Sequence, residues 1–345
     1  MTRQTTPIQS LSNTSSRTGF TLVELLLVIG IIVLLIGILL PALAAVNKAA
    51  KRTETSSILN DFSKACDLFF QQHGFNPGII PDEVLFSDAA ANGGAPQISG
   101  TEAAILHLMG GYVREEDVGT ARFNGSEFSG PDWQLISLTR PSGAFNVKVN
   151  VNEIGNGPTI DGKRYDAYFN PGKEELRVVR GQAGEGNVQL PDLVDSWGNP
   201  VIYIRRARSI GLLIGQQFFR SGADPYLQST GLGEALVDQT DNGQVDYSIL
   251  NVSGGSPTCN NTFTYEVWNF MMIIGHSSFA QGTCGNGNLV YTEPRGSYVL
   301  ISAGSDGIYF SRTDGGGTST NPVDEIQQAA VVEDFDDVVV VGGGT

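Results

Sequence analysis

The chain offers few residues whose types and spacing would support catalysis. Residues 275–279, Gly-His-Ser-Ser-Phe, follow part of the G-x-S-x-G pattern of a nucleophile elbow, but the second glycine is missing. The three histidines, His73, His107 and His276, have no spacing typical of metal ligands. Neither G-x-G-x-x-G nor a full P-loop pattern is present. The sequence therefore predicts a protein that is not an enzyme.

One segment partly follows a calcium-binding pattern. Residues 238–243, Asp-Gln-Thr-Asp-Asn-Gly, and Asp246 place oxygen-bearing side chains and a glycine as in an EF-hand loop. The twelfth position is Ile249 instead of the bidentate glutamate, and no flanking helices are evident. A polar turn is the better interpretation.

The three cysteines do not form a metal-binding pattern. Cys259 and Cys284 flank a loop-like stretch, and their spacing permits either a disulfide in an oxidising compartment or two free thiols. Cys66 lies in a helical pattern, where we expect it to act as a small buried apolar residue.

The strongest pattern is at the N-terminus, where Glu24 stands at the head of an apolar run. No charged residue occurs from Leu25 to Val46. At about 1.5 Å per residue this run spans a bilayer core of about 30 Å, and it must be helical because unpaired backbone groups are costly in lipid.

Three interpretations of this run compete. It is a plain membrane anchor, or a secretory signal cut at the small residues of Pro41-Ala42-Leu43-Ala44, or a signal cut before the apolar run. Glu24 favours the third, since an unpaired carboxylate in lipid costs several kcal/mol. A cut after Gly19 would place a new ammonium group on Phe20, one helical turn away.

Residues 19–24, Gly-Phe-Thr-Leu-Val-Glu, with the apolar run after them, resemble the processing site of type IV pilins and type II secretion pseudopilins. The resemblance implies that prepilin peptidase cuts after Gly19 and that Phe20 is then methylated. It makes Glu24 the fifth mature residue, which neutralises the amine of a neighbouring subunit. Pro41 stands where the family commonly has a proline.

The resemblance implies that residues 1–19 are the leader and that residues 20–46 are the transmembrane and fibre-core helix. The apolar spacing predicts that residues 47–74 are an amphipathic second half of this helix. Its apolar stripe includes Ile58, Phe62, Cys66 and Phe69. Pro41 is expected to kink the helix or to melt it locally.

Residues 75–345 would form the extracytoplasmic globular domain. The turn at 195–200, Asp-Ser-Trp-Gly-Asn-Pro, and the segment 298–341 resemble two further parts of major pseudopilins, with insertions at about 82–194 and 205–297. The implied fold class is α+β, a pilin-like long helix packed on an antiparallel sheet.

The resemblance further implies calcium at the carboxyl-terminal loop of the domain. Asp306, Asp336 and Asp337 would be its ligands. Six acids and no bases lie between residues 324 and 337, so a cation would relieve their repulsion. A solvated acidic loop is the alternative.

These features predict a structural subunit of a type II secretion pseudopilus or a related fibre. The expected partners are prepilin peptidase, further copies, other pilin-like subunits and the inner-membrane assembly machinery. The chain would be a single-pass inner-membrane protein with its C-terminal domain in the periplasm. A net charge of -15 disfavours nucleic acid as a partner. A surface pilin or minor pilin for adhesion, and a membrane-anchored extracytoplasmic binding domain, are the alternatives.

Overall fold

The computed structural model describes several separate parts of the chain. The described residues are 21–81, 98–140, 143–177, 190–205, 296–311 and 335–343, together with four short strands between 239 and 264. The chain divides into two compact units, Met1–Ala49 and Ala50–Thr345.

The first element is a long helix, α1 (Leu22–His73), which continues through Pro41 without interruption. The helix is therefore not melted at Pro41, whereas a kink at this residue stays a prediction. It ends at Gly74, whose φ of +78° suits glycine and whose N–H donates to the Phe70 carbonyl at 2.7 Å. Within the second unit, one face of α1 is buried, as the sequence predicts. Its members are Thr55, Ile58, Leu59, Phe62, Ala65, Cys66 and Phe69.

The main sheet of the second unit has three antiparallel strands. They are β8 (Ile202–Arg205), β13 (Tyr298–Ser302) and β14 (Val338–Gly342), with β13 in the centre. One face of this sheet packs on α1 in a shared core that includes Phe62, Tyr203, Tyr298, Leu300 and Val338. The chain is thus α+β, with a long apolar N-terminal helix and small antiparallel sheets.

A second apolar core is formed mostly by the region predicted to be an insertion, together with Ile79 and Ile80. It is formed with α2 (Gly100–Met109) and a sheet of order β1-β3-β2, made of β1 (Tyr112–Arg114), β2 (Trp133–Arg140) and β3 (Gly143–Asn150). Ser99 and Glu102 form a capping box at the start of α2.

The remaining elements are short. Single helical turns are α3 (Glu115–Val118) and α4 (Thr120–Phe123). Two-stranded antiparallel pairs are β4 (Thr159–Ile160) with β5 (Lys163–Arg164), β6 (Leu176–Arg177) with β7 (Asp192–Leu193), β9 (Gln239–Asp241) with β10 (Gln244–Asp246), and β11 (Thr258–Cys259) with β12 (Phe263–Thr264).

Candidate functional site

The first half of α1 forms one part of the candidate site. Its large apolar side chains from Leu22 to Val46 are exposed, and the helix is long and apolar enough to cross a membrane. The same length and composition also suit a signal sequence near an N-terminus. Gly19 and Phe20, the residues of the predicted cleavage site, lie outside the described residues.

Thr21 and Glu24 form a reciprocal cap at the start of α1. The Glu24 N–H donates to Thr21 Oγ1 at 3.2 Å, while Thr21 N–H donates to Glu24 Oε2 at 2.9 Å. The Thr21 hydroxyl also donates to Glu24 Oε2 at 2.7 Å. This is the capping box expected of a threonine followed three residues later by a glutamate. Two backbone N–H groups that would otherwise lack partners are satisfied.

The cap gives Glu24 a local role that the sequence interpretation did not assign. That interpretation related Glu24 only to an ammonium group, whereas its carboxylate already binds Thr21 within the same helix. The T-x-x-E spacing was present in the sequence and would have identified Thr21. The carboxylate is held beside the helix start, where negative charge is also favoured by the helix dipole.

The acidic loop contains Asp306, Asp336 and Asp337, and the carboxylates bind nearby backbone groups. Asp306 Oδ1 accepts from the Ile308 N–H at 2.9 Å. Asp336 Oδ2 accepts from the Ser305 N–H at 3.0 Å and from the Ser305 hydroxyl at 2.6 Å. The two bonds from Ser305 to Asp336 join segments that are far apart in the sequence.

Asp337 is the most deeply buried of the three acids. Both of its carboxylate oxygens accept from the Phe310 N–H, each at 3.0 Å. Burial raises the pKa of Asp337 well above its ordinary value, and the charges of Asp336 and Asp306 raise it further. Phe310 has a φ of +51°, unusual for a bulky residue, and Asp337 helps to hold this backbone conformation.

The described part of the chain contains no group of three or more His, Cys, Asp or Glu side chains arranged to hold a metal ion. The three aspartates provide the hard oxygens that calcium prefers, and they are close enough for their charges to interact. Further acids of the predicted loop, at 324, 325, 333 and 334, lie outside the described residues. Calcium binding stays a prediction.

The turn at 195–200 connects α1 with the acidic loop. Asp195 accepts from the N–H groups of Trp197 and Asn199 at 2.9 and 2.8 Å and from the Ser302 hydroxyl at 2.7 Å. Ser196 donates to the Lys51 carbonyl of α1 at 2.7 Å. The Asn199 amide donates to the Gly304 carbonyl at 3.2 Å. Burial raises the pKa of Asp195, while the bonds that it accepts oppose this effect.

The structure describes only some of the other residues considered in the sequence, namely cysteines, histidines and part of the EF-hand-like segment. Cys66 is a buried free thiol whose pKa is raised by burial, as expected of a structural cysteine. Cys284 and the side chain of Cys259 lie outside the described residues, as do 275–279 with His276. The EF-hand-like segment includes the β9–β10 hairpin, in which Asp241 pairs with Gln244. His107 accepts a hydrogen bond from the Gly78 N–H at Nδ1. This bond fixes the tautomer of the His107 ring, in which Nδ1 carries no proton.

Comparison of the chain with protein-family models, curated proteins and solved structures finds no match.

Proposed function

We propose that this chain is a structural subunit of a type II secretion pseudopilus or a related type IV pilus-like fibre. The observation that carries the proposal is Glu24, which is capped at the start of α1, four residues after Phe20 of a Gly-Phe pair, and is followed by the exposed, uncharged run from Leu25 to Val46. We propose further that prepilin peptidase cuts after Gly19, and that the long helix and antiparallel sheet belong to a pilin-like fold.

The energetic argument concerns the fate of a carboxylate in an apolar environment. Breaking a buried ion pair by removing one partner costs about 3–5 kcal/mol, because the other charge stays buried without compensation. A local cap satisfies hydrogen bonds of Glu24 but does not neutralise its charge. An ammonium group on Phe20 of a neighbouring chain would supply the positive charge that neutralises Glu24. Processing after Gly19 would create it.

The second half of α1 provides the connection that a fibre subunit needs between helix and domain. The hydroxyl of Tyr298 in β13 lies 2.8 Å from the Ser63 carbonyl oxygen and 2.9 Å from Asp67 Oδ1, and either oxygen can accept its proton. Ser196 and Thr55 hydrogen-bond through their hydroxyls at 2.8 Å. Force applied to this part of the helix would therefore be transmitted to the main sheet through hydrogen bonds and apolar packing.

In the proposed mechanism the apolar segment holds the subunit in the inner membrane, with the domain in the periplasm. The assembly machinery extracts it, and the apolar helices of many subunits then pack together in the fibre. Calcium is part of the proposal. Asp306, Asp336 and Asp337 would hold it, and the cation would offset the negative charge that accumulates on the acidic loop.

The decisive experiment is to determine the N-terminus of the mature protein by mass spectrometry. We expect the mature chain to begin at N-methylated Phe20 in cells that contain prepilin peptidase and to keep residues 1–19 in cells that lack it. A mature chain that starts at Ala45 would indicate a secretory signal instead. An uncut chain in both strains would indicate a plain anchor and would refute the proposal.

A further inference from the structure

Basic residues follow directly after the uncharged run of α1. Residues 47–53 contain Lys48, Lys51 and Arg52 and no acid, although acids outnumber bases by 36 to 21 in the whole chain. Lys51 and Arg52 are exposed, and neither has an ion-pair partner among the described residues. The next acid along the helix, Glu54, offsets only part of this positive charge.

The length of the uncharged run places these bases near lipid headgroups when α1 spans a bilayer. From Leu25 to Val46 the run is about 33 Å long, and the hydrocarbon core is about 30 Å thick. Lys51 follows Val46 by five residues, so it lies about 8 Å further along the helix. The headgroup layer beyond the core is about 5–8 Å thick. Lysine and arginine side chains are long enough to extend back to the phosphates in this layer.

The turn at 195–200 brings an aromatic residue close to these bases. The Ser196 hydroxyl donates to the Lys51 carbonyl at 2.7 Å, and the Ser196 N–H donates to Thr55 Oγ1 at 3.2 Å. Trp197, the next residue, is half-buried, so part of its surface is accessible. Tryptophan is enriched at membrane–water interfaces, because its ring is apolar while its indole N–H is polar.

The acids next to this turn are either buried or paired. Asp195 is 4% exposed, and its carboxylate accepts from the Ser302 hydroxyl inside the domain. Arg177 contributes another base, because its Nη1 lies 3.8 Å from the position that a Cβ on Gly198 would occupy. Glu174 binds this arginine at 2.7 Å. The accessible charge beside the turn is therefore mainly that of the two bases on α1.

We propose that Lys51, Arg52 and Trp197 form a surface that binds anionic phospholipid headgroups where α1 leaves the membrane. Opposite charge favours the phosphates, and the surface continues directly from the exposed apolar run. In the proposed orientation these bases lie on the exported side, where the positive-inside tendency disfavours them, so membrane topology does not account for them. The inference rests on the membrane anchoring in the proposed function, but not on fibre assembly.

The test is photo-crosslinking of the full-length protein in phosphatidylcholine vesicles with and without phosphatidylglycerol, with the products identified by mass spectrometry. Trp197→p-benzoylphenylalanine places an aromatic crosslinker in the proposed surface. Leu135→p-benzoylphenylalanine is the matched control, since this exposed residue belongs to the sheet that packs on Ile79 and Ile80, beyond the far end of α1. Leu40→p-benzoylphenylalanine reports on the apolar run itself.

We expect position 40 to crosslink to both lipids, position 197 to crosslink mainly to phosphatidylglycerol, and position 135 to crosslink to neither. Each base near an anionic membrane contributes about fivefold to binding. The double change Lys51→Gln and Arg52→Gln should therefore reduce phosphatidylglycerol crosslinks from position 197 by at least about tenfold. Lys64→Gln, which removes an exposed base from the same helix, should leave them unchanged.

Three results would overturn the proposal while leaving membrane anchoring intact, because crosslinks from position 40 would persist. The first is a lack of lipid crosslinks from position 197. The second is crosslinking of position 197 to a second copy of the chain in place of lipid, which would assign the surface to a subunit contact. The third is equal crosslinking to phosphatidylglycerol after the double change. A lack of lipid crosslinks from position 40 as well would refute the anchoring, and with it this inference.

Discussion

Glu24 has two possible roles, a helix cap and an ion-pair partner, and two conservative variants separate them. Glu24→Gln keeps an oxygen that can accept from the Thr21 N–H, since glutamine also serves in capping boxes, but it removes the charge. Thr21→Val keeps the charge and nearly the same shape, but it removes the hydroxyl that bonds to Glu24 at 2.7 and 3.2 Å. An alanine at position 24 would remove both roles and could not distinguish them.

The expected free-energy costs of the two variants differ enough to separate the two roles of Glu24. Loss of the threonine cap costs about 0.5–2 kcal/mol. Leaving the amine of Phe20 without its carboxylate in a dry fibre core costs about 3–5 kcal/mol, and every 1.4 kcal/mol is about tenfold in an equilibrium constant. We therefore expect Glu24→Gln to reduce fibre assembly by more than about a hundredfold. Thr21→Val should reduce it by less than about thirtyfold.

The assay measures the fraction of protein recovered in sheared fibres from cells that contain the assembly machinery, with mass spectrometry to verify cleavage after Gly19. Glu54→Gln, which removes an exposed acid from the same helix beyond the apolar run, is the matched control and should assemble normally. Normal fibres from Glu24→Gln, with loss of fibres from Thr21→Val, would show that capping is the role that matters. That result would refute the ion-pair reasoning.

Two further predictions concern the domain. Asp337→Asn should raise the thermal stability at pH 7. Burial raises the pKa of Asp337 in the folded state, so the wild-type carboxyl contributes stability that is complete below its ordinary pKa. This stability is lost as the pH rises through the raised pKa. Thermal unfolding from pH 3 to 8 should show a weaker pH dependence in the variant, and added calcium should stabilise the wild type more; equal calcium effects would exclude Asp337 as a ligand. Gly342→Ala should destabilise the fold by about 1–3 kcal/mol, because a Cβ there would collide with the Tyr298 ring. In a Tyr298→Ala background the same change should cost at least about 1 kcal/mol less by denaturant unfolding, and full additivity would contradict this contact.

The local elements of this protein could be predicted from the sequence because their causes lie within a few residues. The uncharged run after Glu24 predicts a helix, and the stripe at Ile58, Phe62 and Phe69 predicts its buried face. The strand that contains Tyr298 follows from its run of apolar residues. Pro41 does not end the helix, because a long apolar helix tolerates one missing hydrogen bond.

The contacts that assemble the domain join residues that are distant in the sequence, so no local pattern predicts them. Tyr298 binds Ser63 across a separation of 235 residues, and its ring requires a glycine at 342. Asp337 meets Phe310 only because the ends of β13 and β14 lie together. The sequence by itself determined the apolar helix and its buried face, and its T-x-x-E spacing specifies the cap. Tertiary structure alone decided which carboxylates are buried and how deeply each strand of the main sheet is buried, because burial depends on the packing of separate segments.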